Sequence, residues 1–193
     1  LHCHLLNDLE AMAYGLSALG DDDFLTLQAG SPNASGNAAV IAAGTGLGEA
    51  GLYWDGQCYH PFATEGGHAS FSSRNALEFA LLNYLQRCHQ QESGGHVSWE
   101  RVVSGMGLPD LYAFMLDYRG ASTSAWLADE MRGSDRAAVI STAALAGTDA
   151  VCVETMQLFV SLYGVEASNL ALKVMSRGGL YIGGGIAPKI LPL

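Results

Sequence analysis

The segment from Ala38 to Phe62 constrains the fold most, because it places three short apolar runs in immediate succession. The first run ends at the glycine-rich stretch GTGLG, and an Asp-Gly pair at Asp55 and Gly56 separates the second run from the third. Runs of this length joined by tight turns are typical of neighbouring antiparallel strands. The sequence therefore predicts a three-stranded meander.

Helical spacing of apolar residues dominates the sequence on both sides of this meander. Residues 8–19 show such spacing, and Asn7 precedes them as a capping residue. A second helix is predicted at 75–89, where Asn75 and Glu78 have the spacing of a capping box. Further helices are expected at 98–103, 109–118 and 121–131, in a long stretch carrying Cys152 to Tyr163, and separately from Leu170 to Met175.

The order of these elements predicts the fold class. Residues 21–37 are acidic and rich in Gly, Ser and Asn, which indicates a surface loop with room for a short strand. The segment LYIGGGIAP predicts a buried last strand that must return to the sheet. We therefore expect an α/β (α+β) domain with a mixed sheet flanked by helices. Residues 1–193 are expected to form one domain, truncated at both ends, since the chain begins without Met.

Charge and hydropathy exclude two classes of partner. Nineteen acidic and nine basic side chains give a formal net charge of -10, without a Lys/Arg cluster that could neutralise a run of phosphates. No apolar run approaches the roughly 20 residues of a membrane span. We expect a cytoplasmic protein that binds neither nucleic acid nor membrane.

The cysteines predict neither a disulfide framework nor a cysteine zinc site, because none has CxxC spacing. They are Cys3, Cys58, Cys88 and Cys152. His2, Cys3 and His4 are adjacent, but a strand would point them in alternating directions. No metal site is predicted.

Two polar motifs allow both a structural and a functional interpretation. Asn7 and Asp8 are good helix-capping residues, and a cap alone would explain them. Glu65 and His68 flank two glycines, which is compatible with an ordinary polar loop. The same glycines would also let the backbone approach a bound group that both side chains reach.

Two glycine motifs, each taken alone, also allow more than one interpretation. GTGLG, from Gly44 to Gly48, fits a tight bend between strands, or a turn whose N-H groups and Thr45 hydroxyl meet phosphate. GGGIAP, from Gly183 to Pro188, fits the entry to a helix, with proline in its first turn.

In this order, and together with the strings HVSWERVVSGMGLPDLY and GGLYIGGGIAPKIL, these motifs resemble the bacterial glucokinase family of sugar kinases. The resemblance covers nearly the whole chain. It implies the actin-like ATPase (ribonuclease H-like) fold, in which two domains flank a cleft with the sugar deep inside and ATP above it. The chain would then be mainly the larger, C-terminal domain, with the end of the smaller domain at residues 1–20.

The resemblance also implies roles for single residues. Asp8 matches the general base, and Asn7, Asp8, Glu65, His68 and Glu100 match the contacts to a hexose. These residue types suit the task, because carboxylates, amides and imidazoles can pair every hydroxyl of a sugar ring. The implied reaction is ATP-dependent phosphorylation of the 6-hydroxyl of D-glucose or a related hexose.

The nucleotide contacts are implied in the same way. Gly44, Thr45, Gly46 and Gly48 would meet the phosphates of ATP, and Gly184 and Gly185 would lie near its adenosine. The family's first phosphate loop, of the DxGGT type, does not occur in this sequence. We expect Mg²⁺ to be organised mainly by that loop, and this chain alone not to turn over.

Two departures from the family pattern and two alternatives remain at the level of sequence. Leu9 stands where the family usually has an aromatic residue, and Met106 where it has proline. A broader family of repressors and kinases shares the fold but carries a cysteine-rich motif after the Glu-x-Gly-His pattern, which is missing after His68. A non-catalytic sugar-binding or regulatory domain is the other alternative, and a homodimer is a further expectation.

Overall fold

The computed structural model describes residues 5–193, which form one four-stranded sheet and a layer of helices. The strands are β1 (Ala38–Ala43), β2 (Leu47–Trp54), β3 (Tyr59–Thr64) and β4 (Gly179–Gly183). The α-helices are α1 (Asp8–Gly15), α2 (Ala76–Cys88), α3 (Gln90–Ser93), α4 (Leu108–Arg119), α5 (Ala125–Gly133), α6 (Arg136–Leu145) and α7 (Ala150–Val174). Short 3-10 turns occur at Leu16–Ala18, Asp21–Asp23, Gly66–His68, Trp99–Arg101 and Ala187–Lys189.

The sheet is mixed, with the strand order β3-β2-β1-β4. β1, β2 and β3 pair antiparallel in sequence order, which confirms the predicted meander. β4 returns after all the helices and pairs parallel with β1, from Ala38 opposite Gly179 to Ala42 opposite Gly183. The prediction of a mixed sheet flanked by helices is therefore confirmed.

β1 is the central element of the fold and is buried at all six positions. Ala39 and Ile41 belong to the main core beneath α7, whereas Ala38 and Val40 pack with Ala13 of α1 on the opposite face. A strand covered on both faces needs apolar side chains in both directions. This explains the uninterrupted apolar run AAVIAA.

The main core lies between the sheet and the helices α2, α4, α5, α6 and α7. Phe114 of α4, Ile140 of α6 and Phe159 of α7 are among its fully buried side chains. Burying one such side chain contributes about 1.5 to 3 kcal/mol. The helical layer thereby holds the sheet, and with it the ends of the strands, in a fixed position.

The helical half differs from the prediction in two respects. α7 is a single helix of 25 residues, not one helix followed by another beginning at Leu170. Its buried stripe continues through Ala167 to Leu170, and it ends where Met175 adopts a left-handed conformation, with φ 51°. α6 was not predicted, although Asp135 caps it by accepting the Ala137 N-H at 2.9 Å.

Other local predictions hold to within a few residues. α2 is confirmed with Asn75 as its cap, since the Asn75 Oδ1 accepts the Glu78 N-H at 3.0 Å. The Glu78 carboxylate accepts the N-H of Arg74 at 2.7 Å, and not that of Asn75, so only half of the predicted capping box forms. α1 ends at Gly15 and continues only as a 3-10 turn, and α5 begins four residues later than predicted. Residues 24–37 contain no strand.

Two sequence interpretations are wrong in detail. Ser98 precedes the 3-10 turn Trp99–Arg101 but makes no capping hydrogen bond with its side chain. β4 was expected to be buried but is half-buried, and its Ile182 is exposed. The reason is that β4 lies at the edge of the sheet formed by residues 5–193.

The helix lengths and the cysteines are described for residues 5–193. No single helix there is long and apolar enough to cross a membrane, whereas α6 and α7 meet the criterion only as a pair that is bent by 101°. Cys58, Cys88 and Cys152 are free thiols. His2, Cys3 and His4 lie outside the described residues.

Candidate functional site

A cavity of about 440 Å³ opens at the end of the sheet where β1 turns into β2. It is bounded by the start of α1, the β1-β2 turn, the 3-10 turn after β3 and the start of the turn after β4. All predicted site residues except Gly185 line it: Asn7, Asp8, Gly44, Thr45, Gly46, Gly48, Glu65, His68, Glu100 and Gly184. The fold thus brings residues from five separate stretches of sequence to one place.

Asn7 and Asp8 are placed by the N-terminus of α1. The Asn7 Oδ1 accepts the N-H groups of Leu9 at 2.9 Å and Glu10 at 3.4 Å, so the capping interpretation is correct. The Asp8 Oδ1 also accepts the Leu9 N-H, at 2.9 Å. Asp8 is exposed at the mouth of the cavity, which leaves its second carboxylate oxygen available.

Leu9 docks α1 onto β2 beside the cavity. A Cβ atom at Gly48 would collide with the Leu9 side chain. The glycine at position 48 is therefore required by the close packing of α1 against the strand. The sequence suggested a tight bend between strands or a phosphate contact for Gly48, but not this packing against α1.

The two glycines of the EGGH motif have a structural reason of the same kind. A Cβ at Gly66 would collide with the Glu49 carboxylate, and a Cβ at Gly67 would collide with the backbone oxygen of Leu47. The loop therefore lies directly on β2. Glycine is needed at Gly67, where the obstacle is backbone, whereas at Gly66 the obstacle is the end of the flexible Glu49 side chain. This packing reason adds to the sequence interpretation, in which the glycines let the backbone approach a bound group, and Gly67 also lines the cavity.

Thr64 fixes the entry of this loop at the end of β3. Its hydroxyl donates to the Glu49 backbone oxygen at 3.0 Å and accepts the Gly66 N-H at 3.2 Å. The 3-10 turn that follows places Glu65 and His68 side by side, with 3.6 Å between Oε2 and Nε2. Both side chains are more than half exposed toward the cavity.

Glu100 completes this polar group from a different part of the chain. Its Oε1 lies 3.9 Å from Nδ1 of His68, and its side chain is only 22% exposed. Glu100 sits in a 3-10 turn anchored by buried Trp99, whose N-H donates to the Ala69 oxygen at 3.0 Å. Glu65, His68 and Glu100 therefore form one cluster on one wall.

Glu100 also contacts the β1-β2 turn. Its Oε2 accepts the Leu47 N-H at 3.0 Å, and a Cβ at Gly46 would collide with the same oxygen. The polar cluster and the GTGLG turn are thus joined by one carboxylate. Sequence spacing gave no indication of this contact, because 53 residues separate its partners.

Backbone hydrogen bonds hold the base of the GTGLG turn, whereas Thr45 at its tip is exposed. The Gly44 N-H donates to the Gly46 oxygen at 2.9 Å, and Gly105 and Met106 donate to the Gly44 and Thr45 oxygens at 2.8 and 3.2 Å. Met106 can do this because, unlike proline, it has an N-H group. Within residues 5–193, the N-H groups of Thr45 and Gly46 have no acceptor, and Thr45 is exposed.

The turn after β4 closes the cavity from the other side of β1. Gly184 has φ +82°, and a Cβ there would collide with the backbone oxygen of Ala43. Both facts require glycine at this position. Gly185 does not line the cavity, and a Cβ built on it would meet nothing within 4 Å.

Tyr163 supports the site without having been singled out from the sequence. Its hydroxyl accepts the Ala43 N-H at 3.1 Å, and the Ile41 and Gly183 oxygens both lie 3.4 Å away as acceptors. It therefore bridges β1 and β4 where their ladder ends. Burial raises the pKa of Tyr163 to about 12, so the phenol stays protonated.

Glu49 is the second supporting residue that the sequence interpretation missed. It lines the cavity floor but is 2% exposed, and its Oε1 has no hydrogen-bond partner among the described residues. The pKa of Glu49 is raised to about 7, chiefly by burial and also by the neighbouring carboxylate of Glu166, against a lowering by Lys173. The sequence feature that could have indicated Glu49 is the presence of one acidic residue in the otherwise apolar strand β2.

Comparison with known proteins gives a consistent result. The sequence profile described as "Glucokinase" matches residues 1–193. The glucokinase of Nostoc punctiforme is 45% identical over 203 residues, which cover 100% of this chain and 59% of that protein. The glucokinase of Saccharophagus degradans is 36% identical, covering 96% and 54% respectively. The chain thus spans less than two thirds of the length of these relatives.

Solved structures agree on the fold. The structure of a glucokinase from an Antarctic psychrotroph is 34% identical, with a TM-score of 0.81 over 97% of this chain and 54% of that one. The glucokinase of Balamuthia mandrillaris in complex with glucose is 26% identical, with a TM-score of 0.69 over 96% and 52%. A ROK family glucokinase from Streptomyces griseus, in complex with glucose and AMPPNP, is 20% identical and shares the fold, with a TM-score of 0.58 over 95% and 52%. The architecture is that of actin-like ATPase sugar kinases.

Proposed function

Because this chain belongs to the glucokinase family, we propose that the protein containing it transfers the γ-phosphoryl group of ATP to the 6-hydroxyl of D-glucose. This reaction would be the first step of glycolysis. The observation that carries the proposal is the single cavity, in which the predicted sugar contacts and the predicted phosphate turn meet. Residues 1–193 would belong mainly to the larger domain, with the end of the smaller domain at residues 1–20.

Asp8 is the proposed catalytic base. A carboxylate that touches the attacking hydroxyl orients it and accepts its proton as the bond to phosphorus forms. Asp8 is the first residue of α1, where a carboxylate side chain is well placed beside the N-H groups of the first turn. Its Oδ1 is occupied by the Leu9 N-H, so Oδ2 is the oxygen proposed to take the proton.

Asn7, Glu65, His68 and Glu100 are proposed to bind the remaining hydroxyls of the hexose. Each sugar hydroxyl is both a hydrogen-bond donor and an acceptor. The cluster offers acceptor oxygens on two carboxylates, and the imidazole of His68 has one nitrogen that donates and one that accepts when it is neutral. A sugar with one hydroxyl inverted would leave a polar group unpaired, which costs about 1 to 3 kcal/mol. Such a wall selects among hexoses, as an apolar pocket cannot.

ATP is proposed to approach over the β1-β2 turn. The N-H groups of Thr45 and Gly46, which have no acceptor in the described chain, and the Thr45 hydroxyl would meet its phosphates. Gly44 and Gly48 shape this turn, and Gly184 and Gly185 would lie near the adenosine. The open space beside Gly185 is compatible with a purine passing close to the backbone.

Mg²⁺ is the expected companion of ATP and would neutralise charge on the transferring phosphoryl group. Carboxylate oxygens suit this ion, but those of Glu65 and Glu100 have other partners. Glu100 already accepts the Leu47 N-H, and Glu65 and Glu100 both lie beside His68. We propose that Mg²⁺ is organised mainly by the DxGGT-type loop, which this sequence lacks, and not by Glu65 or Glu100.

A cytoplasmic location and a homodimer complete the proposal. ATP and free glucose are both available in the cytoplasm, which is the reason for the location. Equilibrium sedimentation of the full-length protein would give its oligomeric state.

The deciding experiment measures turnover of the full-length protein. Coupled formation of glucose 6-phosphate from glucose and MgATP should be observed, with mannose and galactose as matched sugars that each differ from glucose at one hydroxyl. Calorimetric titration with glucose should be run in parallel. Glucose binding without any turnover in a folded protein would favour the non-catalytic sugar-binding alternative, and absence of both would refute the assignment of the cavity.

A further inference from the structure

The β2-β3 hairpin carries a group of side chains that the proposed function does not use. Asp55 follows β2 directly, and Cys58 and His60 lie at the start of β3. The cavity lies at the other end of β3, beyond Thr64. Whatever this group does is therefore separate from the sugar and phosphate contacts.

The three side chains converge on one point. Asp55 Oδ2 lies 2.7 Å from His60 Nε2, and Cys58 Sγ lies 3.5 Å from each of these atoms. In the part of the chain that the structure describes, this is the one group of three His, Cys or carboxylate side chains whose candidate ligand atoms all lie within 4.8 Å of one another. All three residues are exposed, so an ion can reach them from solvent.

The hairpin turn fixes the carboxylate in place. Asp55 Oδ1 accepts the N-H groups of Gln57 at 2.7 Å and Cys58 at 2.8 Å. These two bonds use one oxygen for the turn and direct the other toward Cys58 and His60. His60 and Cys58 are two residues apart on an extended segment, so their side chains leave the backbone on the same side.

The spacing of the three atoms fits a tetrahedral ion. With Zn-S of about 2.3 Å and Zn-N and Zn-O of about 2.0 Å, tetrahedral angles require about 3.5 Å from sulfur to each of the other ligands. The two observed distances from sulfur are 3.5 Å. The same geometry requires about 3.3 Å between nitrogen and oxygen, so the 2.7 Å hydrogen bond between His60 and Asp55 must open slightly.

We propose that Asp55, Cys58 and His60 form a binding site for Zn²⁺, with water as the fourth ligand. Sulfur, imidazole nitrogen and carboxylate oxygen are the ligand types that zinc takes in proteins. On binding, the Cys58 sulfur gives its proton to solvent and binds as the thiolate, and the hydrogen bond between His60 and Asp55 is replaced by two bonds to the metal. No oxidant or reductant is needed, because zinc does not change its oxidation state.

The test uses the full-length protein, reduced and freed of metal by a chelator that is then removed. Zn²⁺ is titrated calorimetrically, and Co²⁺ is added in a parallel experiment as a spectroscopic probe. A Cys58-Co²⁺ bond gives a thiolate-to-cobalt charge-transfer absorption, which no carboxylate or histidine site elsewhere in the protein can produce. Wild type should bind one Zn²⁺ in the titration and should show the charge-transfer absorption in the cobalt experiment.

Three variants separate the site from the turn. Cys58→Ser and His60→Ala each remove one ligand, and Asp55→Asn removes the ligating oxygen while Asn still caps the turn through its Oδ1. Each should weaken Zn²⁺ binding at least about tenfold. Cys88→Ser is the matched control, because Cys88 is also an exposed thiol but lies in α2.

The outcomes are distinguishable. Loss of the cobalt band in Cys58→Ser together with its retention in Cys88→Ser supports the site. Absence of the band in wild type, or Zn²⁺ affinity unchanged in Cys58→Ser or Asp55→Asn, overturns it and leaves the group as a hydrogen-bonded hairpin turn. Circular dichroism of each variant verifies folding, and hexose phosphorylation should be unaffected by all four substitutions.

Discussion

Asp8 shows how one residue can serve the local structure and the proposed chemistry together. One carboxylate oxygen receives a backbone N-H at the start of α1, and the exposed remainder of the group faces the cavity. Asn7 is similar, since its side-chain oxygen caps the helix while its amide nitrogen remains to contact a sugar. A capping role therefore does not argue against a functional role at either position.

The first prediction at this scale concerns Asp8→Asn in the full-length protein. Asparagine preserves the cap but cannot accept a proton, so kcat should fall by roughly 10² or more while glucose affinity changes little. Steady-state kinetics and calorimetric titration with glucose measure the two effects. Asp21→Asn, on the surface, is the control. A kcat within a factor of two of wild type would exclude Asp8 as the base.

The second prediction follows from the buried carboxyl of Glu49. Its pKa is raised from 4.5 to about 7, so the folded protein holds this proton more tightly than the unfolded chain. The free energy of unfolding should therefore fall as the pH rises from about 4.5 to about 7, by up to about 3 kcal/mol, and then level off.

Glu49→Gln tests this because the amide stays neutral at every pH. The variant should match wild type near pH 5 and be more stable at pH 8, as measured by urea unfolding over that range. Glu130→Gln, an exposed position on α5, controls for removal of one charge. A difference between Glu49→Gln and wild type that does not change with pH would show that Glu49 is ionised in the folded protein.

At the scale of secondary-structure elements, the glycines of the chain fall into two kinds. Gly67 lies where the loop after β3 touches β2, and a side chain there would meet a backbone oxygen that cannot move away freely. Gly164 lies in the middle of α7, is exposed, and has nothing within 4 Å of the position of a Cβ. The same substitution should thus have opposite effects at the two positions.

This contrast gives the third prediction. Gly67→Ala should destabilise the protein by about 1 to 3 kcal/mol and weaken glucose binding, because the loop must leave β2 and carries Glu65 and His68 with it. Gly164→Ala should stabilise it by about 0.5 to 1 kcal/mol, through the lower conformational freedom of alanine in the unfolded chain. Thermal unfolding of both variants measures these changes in stability. Equal changes in the two variants would contradict the assigned packing of the loop.

The elements also show which features the sequence can and cannot predict. The meander and α2 were predictable, because turn residues and a cap stand next to them in sequence. The single helix α7 was not, since only the sheet beneath it explains why its apolar stripe continues past Gly164. The packing of Gly66 and Gly67 was missed for the same reason, because they touch Glu49 and Leu47, which lie much earlier in the sequence, and the contact is tertiary.

At the scale of the whole molecule, charge is the dominant property. The 193 residues carry a formal net charge of -10, and the residues lining the cavity include carboxylates but no Lys or Arg. Glucose is neutral, whereas MgATP remains an anion. The field of this chain should therefore repel one substrate and leave the other unaffected.

The fourth prediction uses this difference. For the full-length protein, the KM for MgATP should fall about twofold or more as ionic strength rises from about 0.05 to 0.3 M, because salt screens the repulsion. The KM for glucose should stay constant and so serves as the internal control. Steady-state kinetics at fixed free Mg²⁺ provide the measurement. A KM for MgATP that rises with salt would show that positive charge outside these residues controls nucleotide binding.

The contact between Glu100 and the Leu47 N-H has a thermodynamic consequence for two-substrate binding. One oxygen of this carboxylate faces His68 and the proposed sugar position, while the other holds the base of the turn that would meet ATP. A hexose that draws on the first oxygen changes the charge density on the second, and hence the strength with which the turn is held. Any resulting synergy must be reciprocal, so that glucose tightens or loosens ATP binding by the same factor by which ATP alters glucose binding.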